Sequence, residues 1–219
     1  MENKYNLALF DMDGTLIDSM DRWISIIGEF MDRNKIIITD ELISKINTLN
    51  LEETIHFLIK NYGLKRSYQE SIDDLDKMMM DYYMHHAKLK PGAVELLHRM
   101  KEKSIPMAIA TATKDLLAIP ALEKQGLKEF FTFIQTTENA GFPKARPEYW
   151  KIAAERGKKD TNEVVVIEDS LYAASLVHTL GMKVIGVEDK SGEQHKEEML
   201  KISKQFVTNL NDVDLRWFE

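Results

Sequence analysis

The sequence predicts an α/β fold in which a doubly wound parallel sheet carries an inserted, all-helical module. From about residue 92 onward, short apolar runs alternate with amphipathic segments, which is typical of strands and helices wound around a parallel sheet. Between residues 17 and 88 the apolar spacing is instead helical, with no convincing strand. Several apolar runs also end directly in polar residues, as strands do where an open sheet places its ligands.

The predicted strands are continuous apolar runs, as expected where both faces of a strand are covered. The first begins near residue 5 and ends at Phe10. The others cover residues 105–111, 130–134, 164–167 and 183–187. We expect the tail after Phe206 to add an edge strand.

The segments between these strands have apolar residues at helical spacing. Helices are therefore predicted over residues 93–103, 115–125, 147–156 and 171–180. Gly126 and Gly181 follow two of them, at positions where left-handed caps are common. Pro120 lies inside the second helix, where it predicts a kink or a division into two short helices.

The inserted module is predicted to contain four helices. Their spans are residues 23–31, 40–48, 52–61 and 71–85, and Asn50 with Glu53 resembles a capping box for the third. We therefore predict two domains. Residues 1–16 and 89–219 form the α/β core, and residues 17–88 form a helical cap domain.

Composition and net charge exclude several classes of function. The 219 residues are 44% hydrophobic and 30% charged, as in an ordinary globular protein. The net charge of −7 argues against nucleic acid as a partner, and the lack of cysteine excludes disulfides and thiolate chemistry. The only apolar stretch near the N-terminus is too short for a signal peptide or a membrane span. We expect a cytoplasmic protein without a membrane partner, either a monomer or a weak homodimer.

Asp11 and Asp13 follow the first strand directly, before Gly14 and Thr15. Residues two apart on an extended chain point to the same side, so the two carboxylates share one face. Such a pair suits Mg²⁺, which prefers carboxylate, water and phosphate oxygens. An aspartate can also act as a nucleophile and form an aspartyl-phosphate.

Three later segments place further polar groups near strand ends. Thr111 and Ala112 end the second strand, where a hydroxyl and backbone N–H groups can hold an oxyanion. Lys144 precedes Pro147, which suits the first position of a helix and leaves the lysine in a loop. Glu168 and Asp169 end a buried strand, where carboxylates are costly unless they face a cation.

These four segments, in this order, resemble the four signatures of the haloacid dehalogenase (HAD) superfamily. Its first signature is an apolar strand followed by Asp-x-Asp-Gly-Thr, as in residues 11–15, and its second is a strand ending in Thr or Ser, here Thr111. The third is a lysine, here Lys144, and the fourth is an acidic pair, here Glu168-Asp169 followed by Ser170. The helical insertion directly after the first signature resembles the subfamily I arrangement with a helical C1 cap.

The chain departs from the subfamily pattern in two places. Ala145 stands where a proline usually follows the lysine, which loosens the backbone but keeps the ammonium group. Ala173, Leu176 and Thr179 occupy positions after the fourth signature where glycine and several alanines are usual. The second departure puts in question how tightly that helix packs on the sheet.

The resemblance implies a Mg²⁺-dependent phosphomonoester hydrolase that acts on a small phosphorylated metabolite through an aspartyl-phosphate. It implies that Asp11 is the nucleophile and Asp13 the general acid and base, with Lys144 also catalytic. Thr111, Ala112 and Lys144 would bind the phosphoryl group. The implied metal ligands are Asp11, Asp13, Glu168 and Asp169.

Two other functions stay open. A β-phosphoglucomutase-like enzyme shares the core residues, but that group has an arginine where this chain has Leu51, and a histidine where it has Trp23. A catalytically idle phosphate-binding regulatory module is the second alternative. In the cap, Ser19 and Trp23 are candidate specificity residues, and His85 and His86 are candidates for substrate hydrogen bonds.

Overall fold

The computed structural model describes residues 6–46, 49 and 51–218. Its single sheet contains six parallel strands in the order β3-β2-β1-β4-β5-β6. The strands are β1 (Leu7–Phe10), β2 (Met107–Ala110), β3 (Ile134–Gln135), β4 (Val164–Glu168), β5 (Lys183–Val187) and β6 (Gln205–Val207). The predicted fold class is confirmed, including an edge strand that spans Phe206.

Ten α-helices are assigned among the described residues. They are α1 (Met20–Arg33), α2 (Asp40–Ile46), α3 (Leu51–Tyr62), α4 (Tyr68–His85), α5 (Ala93–Glu102), α6 (Asp115–Lys124), α7 (Thr137–Ala140), α8 (Pro147–Arg156), α9 (Leu171–Thr179) and α10 (Lys196–Ile202). Short 3₁₀ helices cover Lys128–Phe130, Thr161–Glu163, Lys190–His195, Leu210–Asp212 and Leu215–Phe218. No helix of the described part is both long and apolar enough to cross a bilayer.

The chain divides into two compact units by its internal packing. The core unit consists of Met1–Met20 and Ala87–Glu219, and the helical unit consists of Asp21–His86. In the core unit, alternate residues of the central strands, such as Leu7, Leu9 and Val166, pack in one apolar cluster with Trp150 and Val177 of the helices. The helical unit contains most of α1 together with α2, α3 and α4.

Two local predictions differ from the structure, and a third falls on residues that the structure does not describe. The strand expected at residues 130–134 begins only at Ile134, because the chain first forms a 3₁₀ turn at Lys128–Phe130 after the left-handed Gly126. Pro120 does not divide its segment, since α6 continues through it as one helix. Asn50 and Thr48 lie outside the described residues.

Candidate active site

The core of the site is the carboxyl end of β1. Phe10 pairs with Ile109 of β2 on one side and with Ile167 of β4 on the other, so the residues that follow these strands meet at one edge. Asp11 comes first and donates its backbone N–H to Ile167 O at 3.0 Å. Gly14 adopts φ +82°, and a Cβ there would lie 2.3 Å from Asp169 Oδ2. The glycine therefore lets the loop after β1 approach the acidic end of β4.

Three buried carboxylates gather at this edge. Asp11, Glu168 and Asp169 each offer an oxygen, and these oxygens lie within 4.8 Å of one another. Asp169 Oδ1 accepts a hydrogen bond from Thr15 Oγ1 at 2.9 Å, and Glu168 Oε1 accepts one from the Ser170 N–H at 3.0 Å. The cluster is thus held in place by its own loops.

Lys144 brings a positive charge to the cluster. It lies in the loop before α8, and its Nζ is 2.5 Å from Asp11 Oδ1 and 2.8 Å from Glu168 Oε2. Burial opposes the charged ammonium, but the carboxylates of Asp11 and Glu168 prevail and raise the pKa of Lys144 above its usual value. Lys144 is therefore a fixed cation at neutral pH.

One ammonium does not balance three carboxylates. Burial raises the pKa of Asp11 to about 7, with a further increase from the Glu168 carboxylate, while Lys144 limits the rise. Burial and the same neighbouring acids also raise the pKa of Asp169 well above its usual value. Glu168 Oε2 is buried and, although close to Lys144, receives no hydrogen bond of acceptable geometry. Hard oxygen donors with uncompensated negative charge fit a divalent cation such as Mg²⁺.

Asp13 has a different environment from the other three acids. Its Oδ1 accepts a hydrogen bond from Ser19 Oγ at 2.5 Å, and its Oδ2 accepts one from Thr113 Oγ1 at 2.7 Å. The carboxylate is therefore oriented by two hydroxyls and is not a member of the three-carboxylate cluster. Of the four acids predicted to bind metal, the structure groups three.

The loop after β2 forms the neutral side of the site. Thr111 is buried, and its Oγ1 accepts the Thr113 N–H at 3.1 Å, so the chain turns tightly there. Ala112 is exposed at the tip of this turn. Tyr149 donates its hydroxyl to Thr111 O at 2.9 Å. The hydroxyl and backbone groups predicted to hold an oxyanion thus lie at the same sheet edge as the acids.

The structure adds residues that the sequence reasoning missed. Thr113, Thr15, Tyr149 and Trp150 all contact predicted site residues. Thr113 lies two residues after Thr111, as Asp13 lies two residues after Asp11. Residues two apart on an extended chain point to the same side, so the same spacing could have indicated Thr113. The hydroxyl of Ser19, a candidate specificity residue, is buried and donates to Asp13, because the chain folds back after Ile17.

The remaining candidate specificity residues lie in the helical unit. Trp23 is half-buried on α1, and Leu51 is the first residue of α3 with 40% of its surface exposed. His85 and His86 are exposed, and each Nε2 lies about 4 Å from a carboxylate oxygen of Asp81.

Comparison with known proteins agrees with this geometry. The model of the haloacid dehalogenase-like hydrolase family matches residues 8–187. The phosphoglycolate phosphatase of Agrobacterium fabrum is 23% identical over 190 residues, which are 83% of this chain and 79% of that protein.

Solved structures share the fold at low identity. CbbY of Rhodobacter sphaeroides, in complex with xylulose-(1,5)bisphosphate, has a TM-score of 0.80 at 16% identity and covers 98% of this chain and 99% of its own. The Bacillus subtilis protein YfnB, bound to magnesium, has a TM-score of 0.74 at 19% identity, with 98% and 99% covered. The family model spans all four segments that carry the site, and the chain therefore belongs to the haloacid dehalogenase-like hydrolase family.

Proposed function

We propose that this protein is a Mg²⁺-dependent phosphomonoester hydrolase that acts on a small phosphorylated metabolite through an aspartyl-phosphate. One observation carries the proposal: a buried aspartate beside a fixed lysine and two further buried acids, with Asp13 held separately by two hydroxyls. Family membership and the phosphatase names of its relatives support the same conclusion.

The acidic cluster would hold the metal ion. Asp11, Glu168 and Asp169 are the protein ligands that we assign to it, and the magnesium of YfnB supports that identity. When bound, Mg²⁺ would neutralise charge on the phosphoryl oxygens. Asp13 is assigned to proton transfer, because it is not one of the three grouped acids and its carboxylate accepts hydrogen bonds from the Ser19 and Thr113 hydroxyls.

In the first half-reaction, a carboxylate oxygen of Asp11 attacks the phosphorus atom. The bond between phosphorus and the ester oxygen breaks, and Asp13 donates its proton to the departing alkoxide. Thr111, the Ala112 amide and Lys144 hold the equatorial oxygens of the phosphoryl group. The products of this step are the alcohol and phospho-Asp11.

In the second half-reaction, Asp13 is the base. It accepts a proton from a water molecule, whose oxygen attacks the phosphorus of phospho-Asp11. The phosphorus–Asp11 bond breaks, inorganic phosphate leaves, and both aspartates return to their starting forms. Transfer and hydrolysis therefore use the same two aspartates, Asp11 and Asp13, and most of the catalysis is positioning and electrostatics.

A mutase would use the same first step but return the phosphoryl group to a sugar. The fold shared with CbbY does not distinguish the two reactions. Leu51, which replaces the arginine expected of a β-phosphoglucomutase-like enzyme, favours hydrolysis. We also propose that residues 17–88 act as the cap, and that the protein works in the cytoplasm as a monomer or weak homodimer.

The test is a panel of phosphomonoesters that includes p-nitrophenyl phosphate, phosphoglycolate, glycerol phosphate and hexose phosphates, assayed with Mg²⁺ and with EDTA. We expect stoichiometric release of inorganic phosphate that depends on the metal, and acid-precipitable label from a ³²P-labelled substrate. Isomerisation of a hexose phosphate without phosphate release would identify a mutase. No turnover of any substrate, together with binding of phosphate, would identify the idle module and end the proposal.

A further inference from the structure

Two aromatic residues in the first turn of α8 contact both of the segments that carry the proposed phosphoryl-binding groups. Tyr149 and Trp150 are fully buried in the core unit, and their rings meet edge to face with centroids 5.3 Å apart. The proposed mechanism uses neither residue. The proposed mechanism therefore does not explain the contacts of Tyr149 and Trp150.

Tyr149 contacts the loop that carries Thr111. Its hydroxyl lies 2.9 Å from Thr111 O and 3.0 Å from Gln135 O, and the Thr111 N–H itself donates to Gln135 O at 3.0 Å. Gln135 completes the arrangement, since its Nε2 donates to Tyr149 O at 2.7 Å. All three residues are buried, so loss of the Tyr149 hydroxyl would leave Thr111 O without this donor at a place that water cannot reach, while Gln135 O would keep the Thr111 N–H.

Trp150 contacts the loop that carries Lys144. The indole Nε1–H donates to Lys144 O at 2.9 Å. The Lys144 Nζ also lies 5.4 Å from the centroid of the indole ring, within the range of a cation–π contact. One side chain therefore contacts Lys144 at its backbone and at its ammonium group.

We infer that Tyr149 and Trp150 are positioning residues, which hold Thr111 and Lys144 at a fixed spacing so that both contact one phosphoryl group. The inference rests on the proposed function, because it assumes that Thr111 and Lys144 bind phosphoryl oxygens. The physical basis is that adjacent residues on one helical turn cannot move independently. An apolar side chain of the same volume would pack equally well at either position. It would not donate the hydrogen bond that Tyr149 gives to Thr111 O or the one that Trp150 gives to Lys144 O.

The decisive variant is Tyr149→Phe, which keeps the ring and removes the hydroxyl. We expect kcat for p-nitrophenyl phosphate to fall about tenfold, because misplacing a catalytic group by a fraction of an ångström is costly. Orthovanadate, as a transition-state analogue, should bind more weakly by a similar factor. KM and inhibition by inorganic phosphate should change less, by about twofold, since the lost contact acts mainly in the transition state.

Trp150→Phe should change kcat and vanadate inhibition in the same direction, and it carries the test if Tyr149→Phe does not fold. Tyr172→Phe is the matched control, because Tyr172 is 68% exposed, and it should behave as wild type. A lower melting temperature with unchanged kcat and unchanged vanadate inhibition would show that the pair only supports the fold, and would overturn the inference.

Failure of the proposed function would look different. In that case the wild-type protein itself would hydrolyse no phosphomonoester in the presence of Mg²⁺. The positioning role would then be measured by calorimetric titration with orthovanadate. Equal affinities of wild type and Tyr149→Phe would overturn the inference, and weaker binding by the variant would support it.

Discussion

The two units of the chain contain ion pairs in different environments: some pairs of the core unit are buried, while others there, such as Lys128 with Glu123, are exposed like the pair of Arg33 with Glu29 in the helical unit. In the core unit, Lys144 pairs with Asp11 and Glu168, and Lys90 pairs with Asp189, and each of these side chains is at most 12% exposed. In the helical unit, Arg33 pairs with Glu29 while 60% of the arginine side chain stays exposed.

This contrast separates charge that has a specific task from charge that solvates a surface. Taking an ion pair out of water costs more than its attraction returns unless the geometry is good, whereas an exposed pair changes stability little. Buried pairs are therefore informative positions in this molecule. The buried polar side chains found in the described helical unit, Thr54 and Ser71, are neutral.

The largest effect is expected from Asp11→Asn, which removes one of the buried charges. We expect phosphatase activity to fall at least about a thousandfold, because the amide cannot serve as the nucleophile. The measurement is kcat/KM with Mg²⁺ on the best substrate of the panel. Asp32→Asn, at an exposed position of the helical unit, is the control and should keep full activity. An active Asp11→Asn protein would remove Asp11 from the mechanism.

The second prediction concerns the pH dependence of stability without metal. Burial raises the pKa of Asp11 from its ordinary value of 3.8 to about 7 in the folded protein, so between these values the folded state keeps a proton that the unfolded chain has released. The free energy of unfolding should therefore fall as pH rises through this window, by up to about 4 kcal/mol.

Urea denaturation in EDTA at several pH values measures this slope. Asp11→Asn should reduce it, leaving the smaller contribution of Asp169, whose pKa is also raised. Added Mg²⁺ should stabilise the wild type more at high pH, where its ligands are ionised. An identical slope in the two proteins would show that Asp11 does not titrate as described.

The third prediction compares the two kinds of ion pair directly. Lys90 Nζ donates to Asp189 Oδ2 at 2.9 Å and to Glu188 O at 2.8 Å, so Lys90→Met leaves a buried carboxylate without this partner. We expect a loss of about 3 kcal/mol in the free energy of unfolding. Arg33→Met should cost less than about 1 kcal/mol. Equal losses in urea denaturation would abolish the distinction between buried and exposed ion pairs.

The smallest expected effect is the loss of activity when a hydroxyl that donates to Asp13 is removed. Thr113→Val keeps the shape of the side chain but removes the hydroxyl that donates to Asp13 Oδ2, so the orientation of the proton-transfer group is weakened. We expect kcat to fall about tenfold for an alkyl phosphate and less for p-nitrophenyl phosphate, whose leaving group needs little protonation. Thr208→Val, at an exposed position, is the control.

Comparing the two substrates shows whether Thr113 acts through Asp13. Equal losses on both would indicate that Thr113 supports phosphoryl binding instead of proton transfer. No loss on either would show that the Thr113 hydroxyl is not needed to orient the Asp13 carboxylate.

Local patterns predicted most of the fold. Strands β2, β4 and β5 lie within or close to the predicted runs, and Gly126 and Gly181 have the positive φ expected of left-handed caps. The errors arose where context outweighed composition. Phe130 is apolar enough for a strand but ends a 3₁₀ turn that follows the left-handed Gly126. Pro120 does not divide α6, so the predicted division is wrong, while the alternative of a kink stays a prediction.

By itself, the sequence determined which polar groups stand at strand ends, because both an apolar run and the residue that ends it are local features of the chain. Only the tertiary structure decided which groups meet. Lys144 contacts Asp11 across 133 residues and Thr113 contacts Asp13 across 100. Such pairs depend on the parallel register that joins strands distant in the chain. No local pattern encodes that register, and for this reason the grouping of Asp11 with Glu168 and Asp169 is visible only in three dimensions.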